Sequence, residues 1–248
     1  MEKKTLIVGY GFVGRATQYF LHKYCNTDAE IVDPNVMLPM LKNDKWDYVF
    51  LCVPTNPGKD GKLDLSILKE EFNKYDGEQI IRSTVGPDQV SEFEGATFWP
   101  EFLREKRWKE DIDHPQVEPI VGYESESKFA FWLQYECLRD LMSVRMTTPI
   151  LSAAFKVTRN AFLAHKVNFA NILFDIAQAQ GFDYDTLRLM LENDTQLGAS
   201  HWHVPGPDGK RGFGGKCFPK DYGHFSKLTT SEVLEAVKKN ISKINFVC

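Results

Sequence analysis

The sequence has no apolar run long enough to span a bilayer, no internal repeat and no low-complexity tract. Cysteine is scarce. The five at positions 25, 52, 137, 217 and 248 are odd in number and show neither metal-ligand nor disulfide spacing. That pattern points to unbridged thiols in a reducing, cytoplasmic setting. No secretory leader is read, because Met1-Glu2-Lys3-Lys4 passes directly into a strand-like run. A strong excess of charge is missing too, and the net charge of −4 gives no reason to expect nucleic acid as a partner. What remains is an ordinary globular composition, 43% hydrophobic and 26% charged over 248 residues. That length suffices for one large domain or two modest ones.

One stretch stands out: Arg211-Gly212-Phe213-Gly214-Gly215-Lys216-Cys217-Phe218-Pro219-Lys220-Asp221. Its glycines let a backbone approach a ligand with no Cβ in the way. Pro219 suits the first turn of a helix, which places Cys217 just before that helix's N-terminus. The N–H groups and positive dipole end there favour a thiolate, and Arg211, Lys216 and Lys220 add positive charge. Taken alone, the same residues also fit a filler cysteine beside a glycine turn, with Asp221 as an ordinary first-turn acid.

Thr5-Leu6-Ile7-Val8 reads as a buried strand, followed at once by Gly9-Tyr10-Gly11-Phe12-Val13-Gly14 and a helix to about Lys23. Glu30-Ile31-Val32-Asp33 reads as a second strand ending in an acid. In such a unit Gly9 allows the tight turn, Gly11 lets the backbone reach a pyrophosphate, and Gly14 lets helix and strand pack closely. Asp33 would take the adenosine ribose hydroxyls, which favours NAD over NADP. Further strands over 48–53, 79–82, 96–99, 119–122 and 143–146 alternate with helices over 65–72 and 125–139. The alternation predicts an α/β, Rossmann-like, doubly wound parallel sheet. Pro54-Thr55, Ser83-Thr84-Val85 and Pro100-Glu101-Phe102-Leu103-Arg104-Glu105 fall where strands end, the edge at which such sheets bind ligands. Cys52 sits in an apolar run and reads as core.

At Thr148-Pro149 the pattern changes. Thr148 is a fair N-cap, Pro149 a good first helical residue and Gly181 a natural stop. The predicted helix over 149–180 is about 48 Å long, too long for a crossover. A dinucleotide domain over 1–147 and a helical domain over 148–248 are therefore expected. Alanines at 153, 154, 161, 164 and 170 suit close helix packing. Lys156 and Asn160 share one face of this helix. Asp183 would cap a helix through 192, and Thr230 or Ser231 one over 232–244. His201-x-His203 comes with no cysteine or carboxylate ligand set, so no metal is expected.

Taken in order, 9–14, 54–55, 83–85, 100–105 and 212–221, with Lys156 and Asn160 on the long helix, closely resemble the UDP-glucose/GDP-mannose dehydrogenase family over residues 4–245. The Gly212-to-Asp221 stretch is the most specific of these motifs. The resemblance implies NAD-dependent oxidation of the C6 primary alcohol of a nucleotide sugar, UDP-glucose first, to the carboxylate. It implies that Cys217 is the nucleophile, working through a thiohemiacetal and a thioester. Lys156 would place positive charge by the oxyanion with Asn160 donating beside it. Asp221 and Thr84 would orient or activate water, Glu105 would be the acid–base group, and Glu101 would orient its neighbours. Cofactor contacts are implied for Gly9, Gly11, Phe12, Val13, Gly14, Asp33, Pro54, Thr55, Thr84 and Glu105. Substrate contacts are implied for Glu101, Phe102, Leu103, Lys156, Asn160, Arg211, Phe213, Gly214, Gly215 and Cys217.

The chain departs from that family at Trp99, where a small polar residue is usual, at Lys106, at Ile172 and at Gly86-Pro87. Members of the family carry a third, C-terminal domain over the nucleotide sugar. This chain ends near where that domain would begin, so a short form is expected. A homodimer through 149–180 is expected as well, because so long a helix cannot bury all its apolar faces against two short ones. Two other readings stay open. One is a two-electron hydroxyacid dehydrogenase, which has no need of Cys217. The other is a split or non-catalytic module that needs a partner chain.

Overall fold

A computed structural model describes residues 3–36, 41–215 and 217–245; Lys216 and Cys248 lie outside them. The seven strands are β1 Thr5–Val8, β2 Ala29–Val32, β3 Lys45–Leu51, β4 Asp76–Ile81, β5 Thr97–Phe98, β6 Ile120–Gly122 and β7 Arg145–Thr147. They form one sheet in the order β2-β1-β3-β4-β5-β6-β7. Successive residues point to opposite faces, and both faces are covered. Ile7, Tyr48, Phe50 and Ile80 lie in one core with Trp99, Phe129 and Trp132. Leu6, Val8, Val49, Leu51 and Ile81 lie in a second core with Phe93 and Phe98. Coverage on both sides is why these strands read as unbroken apolar runs.

The sheet is Rossmann-like, as the alternation of strands and helices predicts, with one antiparallel step. The strands from β1 to β5 are parallel to their neighbours, whereas β6 pairs antiparallel with β5 through Phe98 and Gly122. Strand β7 then pairs parallel with β6. Between β5 and β6 lies the six-residue α3, Trp108–Asp113, which follows α1 Phe12–Cys25 and α2 Ser66–Glu71.

The helix expected over 125–139 is shorter and changes its winding. Helix α4 spans only Lys128–Trp132, capped by the Ser127 Oγ, which accepts from the Ala130 N–H. A π-helical turn, Leu133–Cys137, follows it. The wider turn places Leu133, Cys137 and Leu138 together in the first core.

The chain divides into two compact units, Met1–Gly58 with Leu63–Lys156, and Lys59–Lys62 with Val157–Cys248. Helix α5 covers Pro149–Gln180 as the cap, proline and glycine signals predict. Thr148 Oγ1 accepts from the Leu151 N–H at 3.4 Å, and Gly181 ends the helix with φ at +74°. In the second unit α6 spans Tyr184–Asn193, α7 Cys217–Phe225 and α8 Glu232–Asn245. Asp183 caps α6 by accepting from the Thr186 N–H, and Ser231 Oγ accepts from the Leu234 N–H. The core of this unit joins Ala161 and Ala164 to Phe213, Tyr222 and Leu234. Most alanines of α5 face inward and a stripe of its large apolar residues faces outward. Ala153, Ala161, Ala164, Ala170 and Ala177 are buried, whereas Phe155, Phe162, Phe169 and Ile176, each seven residues from the last, are 42% to 66% exposed. No helix among the described residues is long and apolar enough to cross a membrane.

Candidate active site

At the C-terminal end of β1 the three motif glycines show three different constraints. Gly9 has φ at +89°, and a Cβ there would meet the Cys52 carbonyl oxygen at 2.8 Å. This is the crevice between β1 and β3, where the strand order switches direction. A Cβ on Gly14 would lie 2.1 Å from the Gly9 carbonyl oxygen, so only glycine lets α1 begin this close to the turn. At Gly11 a Cβ would meet nothing within 4 Å. Gly11 is exposed and caps α1 with no side-chain hydrogen bond, which leaves its backbone open to a ligand. Phe12 and Val13, both half-buried, form the first turn of the helix. Asp33 follows β2. Its Oδ2 accepts from the Tyr10 N–H at 2.6 Å and its Oδ1 from the Asn35 N–H at 2.7 Å. Burial works against its charge, but the Tyr10 and Asn35 donors outweigh burial and hold its pKa below the usual carboxylate value. These residues fit a dinucleotide: an open helix N-terminus for the pyrophosphate and an ionised carboxylate one strand away.

The loops after β3 and β4 lie along the same edge. Pro54 is exposed and Thr55 is buried. Ser83 Oγ donates to the carbonyls of Leu51 and Val53, which fastens the two loops together, and Thr84 is half-buried beside it.

After β5 the chain carries Glu101, and here the structure joins residues far apart in sequence. Lys156 Nζ donates to the Glu101 carbonyl oxygen at 2.6 Å and to its Oε1 at 2.8 Å. Glu101 Oε2 accepts from the Leu103 N–H at 2.7 Å. The pair is withdrawn from water, Glu101 being 6% and Lys156 4% exposed. Phe102 meets Phe155 edge to face, with ring centres 5.4 Å apart. Glu105 is exposed in the turn before α3. The loop is pinned from below by Asp111 of α3, which accepts from the Arg104 N–H at 2.6 Å and from its guanidinium at 2.5 to 3.2 Å. Asp111 has no sequence signal of its own, because a six-residue helix is too short to show a period.

In the second unit Cys217 is the first residue of α7, not the residue before it, and Pro219 lies within the first turn. The thiol is half-buried. One turn further on is Asp221, fully buried. Its Oδ2 accepts from the Asn160 amide of α5 at 2.6 Å and its Oδ1 from Lys220 Nζ at 2.6 Å. Arg211 turns away from these groups. Its Nε donates to Asn171 Oδ1 at 3.2 Å, and its guanidinium pairs with Asp175 at 2.7 Å. Asn171 Oδ1 also accepts from the Gly212 N–H at 3.1 Å, so this buried amide holds the start of the glycine loop. Phe213 is buried against Tyr222, while Gly214 and Gly215 are exposed, the latter with φ at +76°.

Residues 152–245 match the family model described as the UDP-glucose/GDP-mannose dehydrogenase family, central domain. The chain is 31% identical over 219 residues to a UDP-glucose 6-dehydrogenase of Rickettsia bellii, covering 79% of this chain and 49% of that protein. It is 30% identical over 203 residues to a GDP-mannose 6-dehydrogenase of Pseudomonas aeruginosa, covering 71% of this chain and 45% of that protein. Both alignments take in about half the length of the relative. A UDP-glucose dehydrogenase from Pyrobaculum islandicum has the same fold, with a TM-score of 0.78 at 22% identity. That match covers 99% of this chain and 68% of the solved one.

Proposed function

The chain belongs to the UDP-glucose/GDP-mannose dehydrogenase family, and on that premise we propose that it oxidises the C6 primary alcohol of a nucleotide sugar, UDP-glucose first, to the uronic acid. The first unit would hold NAD through Gly9, Gly11, Gly14 and Asp33. The second would supply the nucleophile. NAD, when bound, accepts a hydride from the substrate carbon at each of the two oxidations.

The reading is carried by the Cys217–Asp221 turn. A thiol opens α7, and one turn on lies a buried carboxylate held by an amide and an ammonium. The Cys217 thiol adds to the aldehyde left by the first oxidation. The S–C bond forms, the carbonyl pair moves to oxygen, and that oxygen takes the thiol proton, giving a thiohemiacetal. Loss of a hydride and a proton gives the thioester. Water then attacks the acyl carbon, the C–S bond breaks, and Cys217 returns as the thiol while the acid departs. A thiol suits both halves, since it adds readily to an aldehyde and leaves readily from an acyl carbon. Lys156 and Asn160, one turn apart on α5, stabilise the oxyanion. Asp221 and Thr84 orient the water, and Glu105 moves the proton.

The test is stoichiometry. With purified protein, NAD and UDP-glucose or GDP-mannose, two NADH form per sugar consumed. In Cys217→Ser no acid accumulates. One NADH per substrate, or undiminished acid from the variant, refutes the thioester route.

The outward stripe on α5 supports a second copy of this chain as partner. Phe155, Phe162, Phe169 and Ile176 repeat at heptad spacing along one face, the pattern of a helix seam packed against another helix. Light scattering at micromolar concentration is expected to give twice 28.5 kDa.

A further inference from the structure

Arg82 follows β4 directly and takes no part in the reaction as proposed. Its side chain is buried. Nη1 donates to the Trp99 carbonyl oxygen at 2.9 Å, and Nε donates to Thr17 Oγ1 at 3.2 Å. The guanidinium carbon lies 3.7 Å from the centre of the Trp99 ring. One guanidinium therefore holds Trp99 at two points, the carbonyl and the indole face. The Trp99 N–H is fixed as well, donating to the Ile81 carbonyl at 2.9 Å. Among the described residues no carboxylate forms an ion pair with Arg82. Burial draws its pKa down to about 10, opposed by the nearby Cys52 and Glu101. A methionine would fill similar space without the cost of a buried charge, so volume alone does not account for an arginine here.

What lies beyond Trp99 does. Pro100 follows, with its φ locked by the ring. Next comes Glu101, whose carbonyl and carboxylate both receive Lys156 Nζ. Trp99 is thus the last anchored residue before the buried pair.

We infer that Arg82 is a positioning residue: its hold on Trp99 fixes where the Glu101–Lys156 pair stands, and through that pair the place of the ammonium in the proposed reaction. The inference rests on the reading that this pair serves the reaction.

Two variants separate grip from bulk. Arg82→Met keeps the volume and removes the donors. Arg82→Lys keeps the charge and loses the planar fork. The first readout needs no turnover. Lysine side chains are isotope-labelled and followed by nitrogen NMR, the Lys156 signal being identified by its loss in Lys156→Met. It is expected to shift or broaden in both Arg82 variants, while the Lys220 signal keeps its place. An unmoved Lys156 signal in Arg82→Met overturns the inference.

The second readout is kinetic. Both variants are expected to lose kcat on the order of a hundredfold, the scale of an ångström's misplacement of a reacting group, with NAD affinity within about threefold of wild type. Full recovery of kcat by lysine would show that charge alone matters and would also overturn it. If the wild type oxidises no nucleotide sugar, the proposed function fails, and the Lys156 signal still decides the role of Arg82. Should Arg82→Met fail to fold, Trp99→Ser removes the ring instead. A shifted Lys156 signal in that variant supports the inference, and an unmoved one overturns it.

Discussion

Two glycine-to-alanine changes in one motif should have opposite consequences. At Gly14 the added Cβ would lie 2.1 Å from the Gly9 carbonyl oxygen. Non-bonded heavy atoms settle at roughly 3.5 Å or beyond, so the helix must move away from the turn. Glycine to alanine inside a helix normally gains up to about 1 kcal/mol. Here overpacking costs about 1–3 kcal/mol, and the obstacle is backbone, which cannot rotate aside. A net loss of about 2 kcal/mol is expected, a fall in Tm of several degrees at about 2–4 °C per kcal/mol for a chain of this size. At Gly11 the new methyl meets nothing within 4 Å, and φ is an ordinary −65°. Stability should change by under about 1 kcal/mol. NAD affinity should nevertheless fall about ten- to a hundredfold, because the methyl stands where the pyrophosphate must approach the backbone. Urea unfolding and a calorimetric NAD titration on both variants measure the two effects separately. A Gly11→Ala protein that binds NAD as wild type does, or a Gly14→Ala protein that unfolds as wild type does, would refute the reasoning.

Three further outcomes are expected. Lys156→Met leaves the Glu101 carboxylate buried without its cation, at a cost of about 3–5 kcal/mol in urea unfolding; a loss below about 1 kcal/mol would mean the pair is not isolated from water. Asp33 has a depressed folded pKa, so its stabilising effect is present above the ordinary carboxyl value and is lost as pH falls through the folded one. The stability difference between wild type and Asp33→Asn should therefore hold from pH 7 to about 5 and shrink below about 4, and a difference that grows on acidification would reverse the assignment. Phe162→Glu, at the most exposed ring of the α5 stripe, should halve the mass seen by light scattering and leave helix content unchanged by circular dichroism.

Much of this was legible from local pattern, because local pattern is what caps, glycines and apolar runs record. The bounds of α5 follow from Thr148, Pro149 and Gly181. The strand ending at Val8 and the turn at Gly9 follow from an apolar run meeting a glycine. Direction in the sheet left no such trace, since Ile120-Val121-Gly122 is equally apolar whichever way it runs. The π turn leaves no mark in the sequence because Leu133, Cys137 and Leu138 fit a helical period closely enough. The 55-residue gap between Glu101 and Lys156 and the contacts that make Arg82, Asp111 and Asn171 important are properties of the folded chain. A single buried arginine or asparagine in a sequence carries no mark of what it will hold.

The reversal of the last two strands decides where α5 arrives. Gly122 sits so close to the first turn of this helix that a Cβ would strike the Thr148 carbonyl oxygen at 2.6 Å and Ser152 at 2.7 Å. A turn later Ser152 Oγ reaches the Phe98 carbonyl oxygen at 3.5 Å, and a turn after that Lys156 reaches Glu101. The register carries Thr147 through Gly122 to the level of Phe98, the last residue of β5, and from there about 10 Å of helix brings Lys156 to Glu101. An antiparallel step in a single pair of short strands thus works as a ruler. It sets the starting height of the helix, so that the ammonium comes level with its carboxylate.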